Sequence, residues 1–276
     1  MKKMTMSKTS KQNFITYAMV IVAYVIFQTL SATGNLSSLM QGLLVPLCTY
    51  SILAVSLNLT VGVLGELSLG HAGFMCIGAF SSAFFTACMK DTITNDLLRF
   101  ILAFIVAAVC AGICGILIGI PVLRLKGDYL AIVTLAFGEI IMNIINALYV
   151  GRDENGFHFS MKDSMSLNMS DSGKIIIKGA QGITGTARQS TFTIGIILLL
   201  LTLVVVLNLM NSRSGRAIMS IRDNRIAAES IGIDITKYKI MAFAISASLA
   251  GLAGCLYAHN LSSLTALPKN FGYNMS

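Results

Sequence analysis

The chain has 276 residues, of which 55% are hydrophobic and only 12% are charged. An average soluble domain carries about 25% charged residues, so this composition excludes an ordinary soluble protein. The formal net charge of +8 would favour nucleic-acid binding in a soluble protein. Here the basic residues lie between long apolar runs, where they determine membrane topology, and we expect no nucleic-acid partner.

Seven apolar runs are long enough to cross a bilayer, which takes roughly 18 or more residues. They lie at 14–31, 39–62, 67–89, 98–121, 129–150, 191–211 and 239–261. One such run would fit a buried helix of a soluble protein, but seven would not. We therefore predict an all-α fold, a polytopic transmembrane helical bundle of about seven spans within residues 14–261.

The first run follows four lysines and resembles the apolar region of a signal peptide. It is long for a cleaved segment, although Ser31 and Ala32 are small residues nearby. The favoured interpretation is an uncleaved first span that follows a cytoplasmic tail at 1–13.

The basic residues indicate the orientation of the bundle. A cytoplasmic N-terminus places four pieces inside, at 1–13, 63–66, 122–128 and 212–238, and twelve of the 20 basic residues lie in these pieces or at their edges. The long segment at 151–190 holds five of the others, but long segments have less weight in the positive-inside rule. We therefore predict that 151–190 and the tail at 262–276 lie outside.

Small residues recur at four-residue spacing in two spans. One set is Ala107, Ala111, Gly115 and Gly119, and the other is Ser246, Ala250 and Gly254. Small residues at this spacing allow close approach of helix backbones in lipid, so they predict a compact bundle.

The polar stretch SRSGRAIMSIRDNRIAAESIGIDITKYK follows the sixth span. It predicts a short helix, a turn, a second short helix and a stop at Gly232, with Asp234 or Thr236 capping the helix that enters the last span. A helical knob with exposed charges suits docking to another protein. An ordinary positive-inside loop would explain the charges equally well.

Glycines and polar residues cluster where the second and third spans meet. The cluster contains Gly62, Gly65, Glu66, Ser68, Gly70, His71 and Gly73. It predicts either an interrupted helix that lines a substrate path or a tight turn with Glu66 and His71 near the headgroups. A lone histidine does not make a metal site.

A polar stripe lies within the fifth span. Glu139, Asn143 and Asn146 have i, i+4, i+7 spacing, and Glu139 is acidic well inside the span. Such residues usually face a bundle interior or a wet cavity. The stripe predicts a role in a path or subunit interface, or structural hydrogen bonds to a neighbouring helix.

Several long stretches resemble the LivM-type permease subunits of bacterial ABC importers for branched-chain amino acids. The most similar is GRAIMSIRDNRIAAESIGIDITKYKIMAFAISASLAGLAGCLYA, which contains the Ala-Ala-x3-Gly core of the cytoplasmic coupling loop at Ala227, Ala228 and Gly232. The general loop pattern begins with glutamate, where this chain has Ile226. Two other stretches agree, SLNLTVGVLGELSLGHAGFMCIGAF and LRLKGDYLAIVTLAFGEI, and KGAQGITG is a weaker match.

The resemblance implies a permease subunit in a bacterial cytoplasmic membrane, surrounded by lipid. The implied partners are a second permease subunit, two cytoplasmic ATPase subunits and an extracytoplasmic amino-acid-binding protein. The ATPase-coupling residues would be Gly215, Arg216, Arg222, Asp223, Arg225, Ala227, Ala228 and Gly232. LivM-type chains normally continue through further spans, so we expect this chain to be truncated at the C-terminus.

Motifs that are absent from the sequence also bear on function. There is no G-x-x-x-x-G-K-[ST], zinc-protease motif or G-x-S-x-G, so we expect neither enzyme activity nor a cofactor, and ATP hydrolysis would occur in partner subunits. The six cysteines lie in apolar segments and suit packing rather than metal binding.

Three alternatives remain open. An ion-coupled secondary transporter would use Glu66, His71 or Glu139 as a relay. An ABC permease could carry another small substrate such as urea. A membrane-embedded enzyme is disfavoured because the sequence lacks a catalytic constellation.

Overall fold

The computed structural model describes residues 8–90, 92–122, 125, 127–153, 156–167, 169 and 173–267. Its helices are α1 (Lys8–Ala32), α2 (Ser38–Asn58), α3 (His71–Cys88), α4 (Asp96–Val122), α5 (Asp128–Ala147), α6 (Phe192–Asn211), α7 (Arg213–Asp223), α8 (Arg225–Ser230) and α9 (Ile235–Ala258). Its strands are β1 (Tyr149–Asp153), β2 (Gly156–Ser160), β3 (Lys174–Lys178), β4 (Ile183–Thr184) and β5 (Ser263–Leu264). Residues 1–7 of the predicted N-terminal tail and 268–276 of the predicted outer tail lie outside the described residues.

Seven of the described helices are long and apolar enough to cross a membrane, which confirms the predicted helical bundle. They are α1 to α6 and α9, with α2 extended by a π-helical turn at Leu59–Leu64. Several predicted boundaries differ from the structure by three or more residues: α1 begins at Lys8 rather than 14, α3 begins at His71 rather than 67, and α9 ends at Ala258 rather than 261. The fifth helix ends at Ala147 rather than 150, because Tyr149 and Val150 continue as a strand, and the last begins at Ile235 rather than 239.

Helix α9 lies at the centre of the bundle and packs against α2, α3 and α4. The contacts are between backbones. A Cβ added to Gly78 of α3 would lie 2.3 Å from the carbonyl oxygen of Gly251, and one added to Gly254 would lie 2.1 Å from that of Met75. Ala107 and Ala111 of α4 are 0% exposed, and Ala107 adjoins Gly251. The four-residue repeats of small residues therefore form the helix contacts that they predicted.

The segment at 151–190 contains strands that the all-helical prediction did not include. β1 pairs with β2 and with β3, both antiparallel, in the order β2-β1-β3, and β4 pairs with β5. The strands have two to five residues, too short for a clear alternating pattern, although Ile175, Ile176 and Ile177 are β-branched.

The sheet and the α7–α8 pair lie at opposite ends of the bundle. Arg152 of β1 donates to the carbonyl oxygen of Cys88, the last residue of α3, at 2.8 Å. The start of α3 lies at the other end, about 27 Å away by helix geometry. In the predicted orientation, the sheet is extracytoplasmic and α7–α8 is cytoplasmic.

Candidate functional site at the α7–α8 end

Helix α2 ends in a π-helical turn at its junction with α3. Helix α2 passes into the π-helical turn at Leu59–Leu64, and Gly65 follows with a φ of +78°, donating its N–H to Thr60. Residues 65–70, which we call the linker, are not helical, and α3 begins at His71. π-Helical turns are rare and frequently occur at functional sites. Residues 65–70 thus separate two helices that each have membrane-crossing length, and the lining of a substrate path by this segment stays a prediction.

Glu66 in the linker forms an ion pair with Lys239 of α9. The side chains are 17% and 6% exposed respectively. Burial of both charges is tolerated because each neutralises the other. Glu66 is therefore held by the bundle rather than placed freely at the headgroups, and Lys239, predicted at the loop edge, is the fifth residue of α9.

His71 and the linker residue Ser68 are both buried. The Nε2 atom of His71 lies 2.7 Å from the hydroxyl of Ser56, and Ser246 of α9 donates to the Ser56 carbonyl oxygen at 2.6 Å. His71 thus helps to join α2, α3 and α9. The hydroxyl of Ser68 has no hydrogen-bond partner among the described residues.

The far end of the linker contacts α5. The N–H of Leu69 donates to the hydroxyl of Thr134 at 3.0 Å. A Cβ added to Gly70 would lie 2.1 Å from the Thr134 carbonyl oxygen, so only glycine allows this approach. One turn further along α5, Gly138 adjoins Gly73. The linker therefore joins the end of α2 to the helix that carries the polar stripe.

The polar stripe on α5 divides into two parts. Asn146 points to the bundle and donates to the carbonyl oxygen of Ala266 at 3.1 Å, which is a structural hydrogen bond. Glu139 is half-buried and Asn143 is exposed, and Asn143 donates to the Glu139 carbonyl oxygen at 2.9 Å. Their exposed neighbours are Ile140 and Ile144. This outward polar surface is unusual for a helix that faces lipid.

The α7–α8 pair has the predicted helix, turn, helix and glycine stop. Ser212 caps α7, Asn224 caps α8, and Asp234 rather than Thr236 caps α9 by accepting from the N–H of Lys237. Gly232 follows α8 with a φ of +85°, as a C′ glycine does. The stretch therefore follows its local sequence signals.

Two of the predicted coupling residues are buried, and a third contacts the π-helical turn. Buried Gly215 packs on the last turn of α6, and buried Ala228 packs with Ile221 and Ile235. Arg222 donates to the carbonyl oxygen of Gly62 in the π-helical turn at 2.8 Å.

Arg222 is itself exposed, with 42% of its side chain accessible, and the remaining coupling residues are exposed too. Arg216 donates to the carbonyl oxygen of Asn211, at the end of α6, at 3.1 Å. Asp223, Arg225 and Ala227 are exposed. Two apolar neighbours, Ile226 and Ile231, are 81% and 75% exposed and form an apolar tip.

Comparison of the sequence with known proteins identifies the family of the chain. The family model described as "Branched-chain amino acid transport system / permease component" matches residues 38–275. The chain belongs to this family. It is 33% identical over 218 residues to the Salmonella typhimurium protein named "High-affinity branched-chain amino acid transport system permease protein LivM", and 32% identical to the Escherichia coli protein of the same name. The alignments cover 76% of this chain and 50% of each relative, so the chain spans about half their length. No solved structure matches the chain.

This permease-family chain also has features that sequence reasoning missed. Lys239 as the partner of Glu66 and Thr134 as the partner of the linker were not predicted, because each contact joins residues that are far apart in the sequence. At the opposite end, a cavity of about 410 Å³ is lined by Lys90, Arg152 and Lys174, and none of the predicted site residues lines it.

Proposed function

We propose that the chain is a membrane-spanning permease subunit of an ATP-driven importer of branched-chain amino acids in a bacterial cytoplasmic membrane. The observation that carries the proposal is the α7–α8 pair, which packs on the π-helical end of α2 and presents an apolar tip. Family membership supports the substrate class. The chain itself would hydrolyse nothing, and two ATPase subunits would supply the energy.

The ATPase contact is proposed at the apolar tip. Ile226 and Ile231 project from α8 and its end with 81% and 75% exposure. Large apolar side chains exposed this fully, close together and among charged residues, are typical of a protein interface. Arg225 and Ala227 are exposed beside them and would complete the contact.

The second permease subunit is proposed to cover α5 and β2. A membrane helix with a glutamate facing lipid would bear a cost of about 2.5–3.5 kcal/mol, so the Glu139 side of α5 faces protein or water more favourably. A separate groove of about 220 Å³ lies between α3, the end of α5 and the sheet, is lined by Ile145, Leu148 and Phe159, and would also be covered. Glu139 and Asn143 would then border the translocation path between the two subunits.

The predicted extracytoplasmic end would receive amino acids from a binding protein. Phe157 and Phe159 of the sheet are 48% and 67% exposed, and Met165, in the helical turn that follows β2, is 88% exposed. This apolar surface supports protein contact at that end. The proposed domain assignment has a cytoplasmic tail at 1–13, an outer segment at 151–190, a coupling segment at 212–238 and an outer tail at 262–276.

The test is copurification from the native host, followed by uptake of leucine, isoleucine and valine. We expect ATPase subunits and a second permease to accompany the tagged chain, and Ile226→Asp with Ile231→Asp to release the ATPases. The control is Thr236→Asp, which adds one negative charge, against two in the double variant, at an exposed site on the first turn of α9, where an acid is favourable.

Three outcomes would contradict parts of the proposal. Uptake that persists without the ATPases would favour the ion-coupled alternative. ATPases retained by the double variant would exclude the apolar tip as their contact. Urea uptake without amino-acid uptake would change the substrate class.

A further inference from the structure

Arg222 contacts the end of α2 through one donor atom and its aliphatic stem. It lies in the last turn of α7, and its Nη1 atom donates to the carbonyl oxygen of Gly62 in the π-helical turn at 2.8 Å. The Nε and Nη2 atoms both donate to Asp223, at 3.1 and 3.0 Å. Asp223 therefore holds the guanidinium in the orientation that reaches the turn, and three of its five N–H groups are used within the chain.

The aliphatic stem of Arg222 lies directly on the start of the linker. A Cβ added to Gly65 would lie 2.6 Å from Cγ of Arg222, and the φ of +78° at Gly65 already favours glycine. The same side chain thus contacts the last turn of α2 and the first linker residue, which follow one another along the chain.

Apolar packing joins α7 to α8 and joins α7 to the π-helical turn. Ile218 of α7 is 0% exposed and packs with Leu59, Val63 and Leu64 of the π-helical turn. Ile221 packs with Ala228 of α8. A displacement of α8 therefore moves α7, and α7 has both apolar and hydrogen-bonded contacts to the turn.

The linker carries the connection from α7 to α5. Its start touches Arg222, and its end is bonded to Thr134 through the N–H of Leu69 at 3.0 Å. Because Gly70 leaves no space between its backbone and Thr134, the linker cannot shift there without moving α5. Thr134 lies little more than one helical turn before Glu139.

We propose that Arg222 is a positioning residue that transmits displacement of α7–α8 through the linker to α5, and is not a contact for the ATPase. This inference rests on the proposed function and changes the role expected for Arg222 from the sequence. In this proposal Ile226 and Ile231 bind the ATPase, whereas Arg222 transmits the displacement of α7–α8.

The experiment compares Arg222→Gln with Arg213→Gln in the assembled importer, reconstituted in vesicles with the subunits that copurify. Arg213 is an exposed arginine of the same helix and belongs to neither proposed contact. We expect Arg222→Gln to keep its ATPases but to lower leucine uptake per ATP hydrolysed by about tenfold, within the usual range of coupling between sites. Arg213→Gln should match the unsubstituted chain.

A second measurement separates transmission from simple support of the fold. Leu67 in the linker is 48% exposed, so Leu67→Cys can report linker movement by its rate of modification with a thiol reagent. We expect ATP to change this rate in the Leu67→Cys chain and in its Arg213→Gln combination, but not in its Arg222→Gln combination. The parent chain, which retains Leu67, gives the background from native cysteines.

The outcomes discriminate between the inference and the proposed function. Loss of the ATPases from Arg222→Gln would make Arg222 a docking residue and overturn the inference. An unchanged ratio of uptake to hydrolysis, or a labelling rate that still responds to ATP, would also overturn it. Absence of ATPases from the unsubstituted chain would refute the proposed function itself, and the inference with it.

Discussion

Gly78 of α3 and Gly251 of α9 meet backbone to backbone at the centre of the bundle. A Cβ added to Gly78 would lie 2.4 Å from Cα of Gly251 and 2.3 Å from its carbonyl oxygen. Neither atom belongs to a flexible side chain, so the helices would have to separate to admit a methyl group. The central position of α9 thus depends on the absence of a side chain at particular positions.

We predict that Gly78→Ala destabilises the bundle by about 1–3 kcal/mol, the usual cost of overpacking. Gly42→Ala is the matched control, because nothing lies within 4 Å of its added Cβ in helix α2. That control should be neutral or stabilise by up to about 1 kcal/mol, since alanine favours helix over glycine. Thermal unfolding of the detergent-solubilised chain, followed by size-exclusion chromatography, measures both. Equal melting temperatures for the two variants would contradict the close contact.

The ion pair between Glu66 and Lys239 predicts non-additive mutational effects. Lys239→Met leaves Glu66 charged and largely buried, at an expected cost of about 3 kcal/mol. Glu66→Gln leaves the ammonium of Lys239 without its counter-charge and should cost a similar amount. The double variant removes both charges, so we expect it to recover much of the loss. Melting temperatures of the three variants form a double-mutant cycle. Additive losses would show that the pair contributes no coupling.

Substitution of Gly232 is expected to weaken the coupling of ATP hydrolysis to uptake because of the backbone conformation at this position. Its φ of +85° is incompatible with proline, and its N–H donates to Glu229 at 3.0 Å, a hydrogen bond that proline cannot make. We expect Gly232→Pro to distort the end of α8 beside Ile231 and to uncouple ATP hydrolysis from uptake, while Gly232→Ala weakens coupling less. Gly34→Ala imposes the same type of strain at a φ of +72° near the end of α1 and should leave coupling unchanged. Normal uptake per ATP in Gly232→Pro would contradict the prediction.

Features encoded locally were predictable from the sequence. Gly232 stops α8 and Asp234 caps α9 because helix ends depend on backbone groups within three or four residues, which the sequence shows directly. The seven spans follow from continuous apolar length for the same reason. The small-residue repeats also predicted close packing, although not which helix each repeat contacts.

Features that depend on distant residues were not predictable. Glu66 and Lys239 are separated by 173 positions, and Gly62 and Arg222 by 160, so nothing local indicates either contact. The strands at 149–178 also escaped prediction, because five residues give too little alternation to distinguish a strand from a loop.

The exposed side of α5 leads to a prediction about the proposed translocation path. The exposed large side chains of α4, including Ile105, Val109 and Ile113, are apolar, as expected for contact with lipid. Helix α5 differs because Glu139 and Asn143 lie on its outward side. We predict that Glu139→Leu lowers uptake by about tenfold, equivalent to about 1.4 kcal/mol, with no loss of melting temperature.

A lipid-facing Glu139 would give the opposite pattern. Removal of its charge would then raise the melting temperature, because a carboxylate in lipid is costly, and uptake would be unchanged. Ile113→Gln on α4 is the contrasting control: a polar group on an apolar surface should lower stability without a specific effect on uptake by the protein that remains folded. Uptake normalised to folded protein, measured beside melting temperature, separates the two cases. Thr134 of this same helix binds the linker, so the stripe is connected through the linker to the α7–α8 pair.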